Sequence, residues 1–175
     1  AMLGNSYWID QKVPILAHED AIKEFEDNGP QILHRMIGYN RDKADGTRLV
    51  LPTISFTDKY VVNLGNLVIE ALYLGPAHSP GDISVWIPSK KLVIAGDMAF
   101  HERLLPIFSH TNTKEWIATW DNEFEKLNPI YVIPGHGHPT NMDQVRKYTR
   151  NYLVYLRGKI GTFIENGGEL KDAYY

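Results

Sequence analysis

His78, Asp97 and His136 are the residues of this chain best suited to chemistry. Two imidazoles and a carboxylate are what a borderline-soft divalent ion such as zinc prefers. Each belongs to the end of an apolar run. His78 sits in Gly75-Pro76-Ala77-His78-Ser79-Pro80-Gly81-Asp82, Asp97 closes Leu92-Val93-Ile94-Ala95-Gly96, and His136 lies in Val132-Ile133-Pro134-Gly135-His136-Gly137-His138. A carboxylate at the end of a buried strand is costly unless it is paired or bound to a cation. Loops at strand ends are where sites are usually built. Taken singly, each residue has a plainer reading, a hydrogen-bonding loop histidine or a turn aspartate, and spacing alone leaves both readings open. Their shared setting points towards one metal site. No second His and Asp cluster is present to complete it.

Other candidates carry less. His18 precedes a helix and reads as a cap or solvent residue, while His34, His101 and His110 lack partners at ligand spacing. His138 could reach the cleft of His136 but reads as loop structure. Ser79 beside His78 suggests nucleophilic catalysis, yet a serine hydrolase needs a base in reach and an oxyanion hole. No Gly-x-Ser-x-Gly elbow occurs. The glycines at 135 and 137 make too short a turn for a phosphate loop.

The elements that must position these residues follow from periodicity. Val13 to Ala17 reads as a strand, and His18 to Asn28 as a helix stopped by Asn28-Gly29-Pro30. Gln31 to Arg48 reads as a helix or irregular segment closing in a loop. Period two then takes over: Thr53 to Phe56 is a strand, and Tyr60 to Leu64 and Leu67 to Tyr73 flank a hairpin turn at Gly65-Asn66. Ile83 to Ile87 and Leu92 to Ala95 are joined by Pro88-Ser89-Lys90-Lys91. Lys114 to Leu127 places Trp116, Ile117, Trp120, Phe124 and Leu127 on one helical face, which reads as core rather than as a substrate platform. Ile130 to Ile133 is a short buried strand. Met142 to Glu165 reads as a long helix, capped by Asn141 or Thr140, with Val145, Tyr148, Tyr152, Tyr155 and Leu156 inward. Mixed strands covered by amphipathic helices predict a layered α/β fold.

Composition narrows the function classes. At 175 residues and 43% hydrophobic content the chain has the size and apolar content of one domain with a real core. Its 18 basic and 21 acidic residues are mixed, for a net charge of −3, so no basic face for nucleic acid is expected. There is no cysteine, hence no disulfide and no thiolate ligand. No apolar run reaches membrane-span length. With no signal peptide evident, the expected location is the cytoplasm. Ala1 ahead of Met2 reads as a residue left from cloning.

The three motifs together, in this order and spacing, resemble the second half of the metallo-β-lactamase superfamily of metal-dependent hydrolases, and the resemblance covers nearly the whole chain. It implies a mixed-sheet αββα sandwich and one or two zinc ions. By carry-over, His78 belongs to one ion, Asp97 bridges both, and His136 belongs to the second. Asp82 matches a position that orders the loop rather than touching metal. No catalytic residue beyond the ligands is assigned.

The chain departs from the family in one respect. The signature His-x-His-x-Asp-His cluster, expected before these motifs, does not occur, and Leu3 to Trp8 resembles the segment just after it. The expectation is therefore a single truncated domain over residues 1–175, without the preceding strands of the sandwich. A binuclear hydrolase needs two neighbouring ions. Two functions are carried forward. One is a hydrolase acting on an ester, amide, thioester or phosphoester of a small-molecule substrate. The other is a non-catalytic metal-binding or self-associating remnant. His-Ser-Pro-Gly-Asp differs from the His-x-x-Gly-His of glyoxalase-II-like members, which argues against that branch. An exposed sheet face would invite a homo-oligomer.

Overall fold

The ends of three strands meet because those strands run the same way. In the computed structural model, which describes residues 2–172, β3 (Lys59–Asn63), β4 (Val68–Tyr73), β5 (Ile83–Ile87), β6 (Leu92–Phe100) and β7 (Tyr131–His136) form one sheet in that order. The first four are antiparallel in sequence and β7 is parallel to β6. So β4, β6 and β7 point in one direction, and the segments leaving them lie at one edge. A parallel neighbour requires a crossover. Helix α3 (Thr113–Thr119), continued by a wider π turn over Trp120–Phe124, lies in the connection from β6 to β7.

Alternation along the strands gives the sheet two unlike faces. Val93, Ala95 and Val132 turn inward and are fully buried with Trp116, Trp120, Phe124, Val145 and Leu153. The α3 stripe predicted from sequence is this core. The other face carries the cross-strand row Tyr60, Ala71, Val85, Ile94 and Ile133 and the row Val62 and Ile69, with Ile87, Leu92 and Tyr131. Val62, Ile94 and Tyr131 on it are exposed. A separate parallel pair, β1 (Leu16–His18) with β2 (Ile54–Phe56), touches the Tyr73 end of this face, where the His18 ring stacks on Tyr73 at 3.6 Å. His18 is thus a cap, accepting from the Asp20 amide through Nδ1 at 3.2 Å, but a buried one rather than a solvent residue.

Three sequence expectations are corrected. After the short helix α1 (Asn5–Asp10), helix α2 spans Glu19–Asn40 and runs through Gly29-Pro30 instead of stopping there. Proline inside a helix removes a hydrogen bond and costs roughly 3 kcal/mol, so local preference is overridden by packing. A methyl on Gly29 would already lie 3.5 Å from Leu49 and Phe25, so the returning chain packs on the turn at the proline. The 31–48 segment is then helix to Asn40 and a 3-10 turn over Arg41–Ala44.

The C-terminal helix carries the second correction. It does cover Met142 to Glu165, with Asn141 accepting from the Gln144 amide at 3.1 Å, but a π segment over Arg146–Asn151 separates α4 (Met142–Val145) from α5 (Tyr152–Glu165). The extra residue per turn shifts the phase, so Tyr148 and Tyr155 face solvent and Thr149 and Leu153 face the core.

The third correction concerns β6, which passes Ala95 and continues to Phe100 through irregular pairing at Gly96. Asp97 therefore lies within a strand, not after it.

Candidate metal centre

Asp97 faces both histidines, one with each carboxylate oxygen. Its Oδ2 lies 3.9 Å from His78 Nε2, and its Oδ1 lies 3.5 Å from His136 Nε2. Gly96, at φ +57°, sets this orientation by bulging the strand just before the aspartate. Gly135 makes room for it: a methyl there would come 2.2 Å from Asp97 Oδ1 and 2.7 Å from the Gly96 carbonyl. Gly137 is similarly pressed on His101, whose carbonyl a methyl would meet at 2.0 Å.

His78 is held by rings. Phe108 stands edge-on at 5.3 Å, and Phe100 and Trp116 each lie 5.9 Å away. Its backbone carbonyl accepts from the Thr111 hydroxyl at 2.8 Å. Its Nδ1 is buried with no hydrogen-bond partner among the described residues. Asp82 does not reach the imidazoles. It ties its own loop, accepting from the Ser79 amide at 2.7 Å and the Ser79 hydroxyl at 2.6 Å. Burial pushes its carboxyl above the ordinary carboxylate range, and the two Ser79 bonds oppose that rise. Ser79 is committed to this carboxylate and has no histidine base among its hydrogen bonds, so the nucleophile reading gains nothing.

His136 stacks on Phe100 at 5.0 Å, and its Nδ1 faces Arg103 Nη1 at 3.1 Å. A guanidinium only donates, so this contact leaves the neutral ring's proton on Nε2. Zinc at Nε2 would require the proton on Nδ1 and the loss of the Arg103 bond. Sequence reasoning missed Arg103, and it missed Glu102, which sits at φ +57° and accepts from His138 Nδ1 at 2.5 Å. That bond lowers the Glu102 pKa. His138 is thereby tied to the loop, as expected, and His101 Nδ1 bonds its carbonyl at 3.1 Å. Neither residue belongs to a periodic segment, so only the left-handed backbone at Glu102 marks the loop as unusual.

The donor set fits part of a metal centre. Two ligands of one tetrahedral zinc, with bonds of about 2.0–2.2 Å, stand roughly 3.3–3.6 Å apart. The His136–Asp97 pair meets that spacing and the His78–Asp97 pair needs a small closure. Both gaps are too long for hydrogen bonds. Among the described residues, however, no three His, Cys, Asp or Glu side chains converge on one point that could hold an ion. The arrangement is two edges sharing a carboxylate.

The motif order and this shared carboxylate agree with a match to the metallo-beta-lactamase superfamily over residues 3–138. The chain belongs to that superfamily. Among curated relatives of this superfamily chain, the metallo-beta-lactamase type 2 of Bacteroides fragilis is 31% identical over 99 residues, covering 55% of this chain and 40% of that protein. The human acyl-coenzyme A thioesterase MBLAC2 is 24% identical over 119 residues, covering 65% and 42%. The superfamily chain thus spans about two-fifths of the length of these relatives. Its fold matches the crystal structure of the DIM-1 metallo-beta-lactamase with a TM-score of 0.69 at 17% identity, over 89% of this chain and 64% of that one. The metallo-beta-lactamase from Pontibacter korlensis gives 0.68 at 16%, over 86% and 62%. The α/β sandwich class read from the sequence is the fold of these structures.

Proposed function

We propose that this chain carries one half of the metal centre of a hydrolase, with His78 and Asp97 serving one divalent ion and Asp97 and His136 serving the other. The observation that supports this reading is the Asp97 carboxylate, each oxygen of which faces a different imidazole. Zinc bound there would supply Lewis-acid polarisation of the scissile carbonyl or phosphoryl group. The chain's own residues do the rest. Phe100, Phe108 and Trp116 hold the His78 ring in place. Asp82 fixes the loop that carries it. The bond class is ester, amide, thioester or phosphoester. A thioester reading is supported by the likeness to a protein described as an acyl-coenzyme A thioesterase, and opposed by the His-Ser-Pro-Gly-Asp motif.

Zinc titration of the metal-free protein by calorimetry, with His136→Ala beside it and a panel of chromogenic ester, lactam, thioester and phosphodiester substrates, tests this. Zinc binding that weakens at least tenfold in the variant, with zinc-dependent turnover of one panel member, is the expected result. Equal zinc uptake by both proteins would remove His136 from the centre.

The second reading, a non-catalytic metal-binding or self-associating form of the fold, is favoured by the partly exposed apolar sheet face. Zinc binding without turnover, together with self-association, would select it.

A further inference from the structure

Two of the candidate ligands, His78 and Asp97, lie at one end of a longer cleft of about 1080 Å³. Its floor includes His78, Ser79, Asp82 and Asp97, and one wall is α2. Of the α2 residues that line it, Ala21, Phe25, Asn28, Ile32 and Arg35 follow steps of four and three along one face of the helix, and around Pro30 and His34 the cleft also reaches its other side. The near end of that wall is fixed by contact. Gly81, in the His78 loop, lies so close to α2 that a methyl on it would meet the Ala21 amide nitrogen at 2.2 Å. From Ala21 to Arg35 the helix advances fourteen residues, roughly 21 Å at 1.5 Å per residue. The cleft is therefore elongated, with the ligands at one end and Arg35 at the other.

Its chemistry changes along that length. Phe108, 5.3 Å from the His78 ring, and the largely buried Phe25 supply apolar surface near the ligand end, and Ile32 supplies it further along α2. Glu24 and His110 also line it, and the Glu24 carboxylate lies 3.7 Å from His110 Nε2. At the far end Arg35 is exposed, neighboured by His34, and has no carboxylate partner among the described residues. No acidic residue stands three or four positions from it on α2. A guanidinium is built to bind carboxylate or phosphate oxygens in pairs.

We infer that the cleft binds an extended amphipathic anion: an apolar chain along Phe25, Ile32 and Phe108, its carboxylate or phosphate held by Arg35, and its opposite end at His78 and Asp97. This rests on the proposed hydrolase only for what happens at that opposite end. If that reading holds, the substrate is an ester or thioester whose anionic group lies remote from the bond cleaved.

Binding can be read without metal or turnover. Calorimetry on the metal-free protein would use monomethyl dodecanedioate, its phosphate-ended counterpart methyl 12-phosphonooxydodecanoate, and neutral methyl dodecanoate. Both anions should bind wild type and the neutral ester at least tenfold more weakly. Arg35→Gln should weaken the anions by roughly tenfold and leave the neutral ester unchanged. Arg35→Lys should restore most of the loss, and Lys23→Gln, another exposed α2 cation, should change nothing. Whichever anion binds tighter identifies the headgroup. Equal affinity for the charged and neutral probes, equal affinity of wild type and Arg35→Gln, or an equal loss in Lys23→Gln would each overturn the inference. Circular dichroism on Arg35→Gln separates lost binding from lost fold. Anion binding by a protein that, with zinc, turns over none of the ester, lactam, thioester and phosphodiester panel would end the hydrolase reading and leave the cleft assignment standing.

Discussion

At the scale of single residues, the site depends on what is missing as much as on what is present. Asp97 can address two imidazoles because Gly135 has no side chain where its Oδ1 sits, and because Gly96 adopts a positive φ that side chains resist. Gly135→Ala should therefore act like a change to the aspartate itself. The added methyl must displace the carboxylate or the Gly96 backbone, so zinc affinity should fall at least tenfold and stability by about 1–3 kcal/mol. Calorimetry and urea unfolding read the two effects. Gly161→Ala is the matched control, because a methyl there meets nothing within 4 Å, and it should stabilise α5 by about 0.5–1 kcal/mol.

At the scale of elements, β6 and the C-terminal helical run are clamped by one hydroxyl. The Thr149 Oγ1 accepts from the Phe100 amide at 2.8 Å and donates to the Phe100 carbonyl at 3.1 Å, and Thr149 is fully buried. The clamp sits where β6 ends, one residue before the His101-Glu102-Arg103 turn. It exists because the π segment brings Thr149 inward in place of Tyr148. Thr149→Val keeps the shape and deletes both bonds, leaving a buried N–H and C=O unpaired. The expected cost is about 1–3 kcal/mol in urea unfolding. A neutral result would show that the strand end finds other partners.

At the scale of the whole molecule, helices cover one face of the five-stranded sheet, and on the other Val62, Ile94 and Tyr131 are exposed. That second face carries no charged side chain in the rows through Ala71, Val85, Ile94 and Ile133 or through Val62, Ile69, Ile87, Leu92 and Tyr131. The β7 edge is already blunted, since Val132 pairs with Thr140 through bonds of 2.9 and 2.8 Å. Association through the face, rather than through that edge, is therefore favoured. We propose that a second copy covers it, because an uncharged apolar face is complementary to itself under two-fold symmetry. Sedimentation velocity at micromolar concentration should give a dimer, and Ile94→Lys, placing a charge mid-face, should give a monomer. A wild-type monomer across the concentration range would exclude the pairing.

The sequence by itself determined the three metal-ligand candidates, the α3 stripe, the Gly65-Asn66 hairpin and the Asn141 cap. Each of these is written in a local pattern: a ligand after an apolar run, a helical or two-residue period, a turn dipeptide, a capping side chain. Only the tertiary structure decided that α2 continues through Pro30, that the π segment turns Thr149 rather than Tyr148 to the core, and that Arg103 reaches His136. It alone also aligned α2 with the candidate ligands to form the long cleft. Those outcomes depend on packing between segments far apart in the chain, where the contact that overrides a local preference lies outside any window in which the preference can be read.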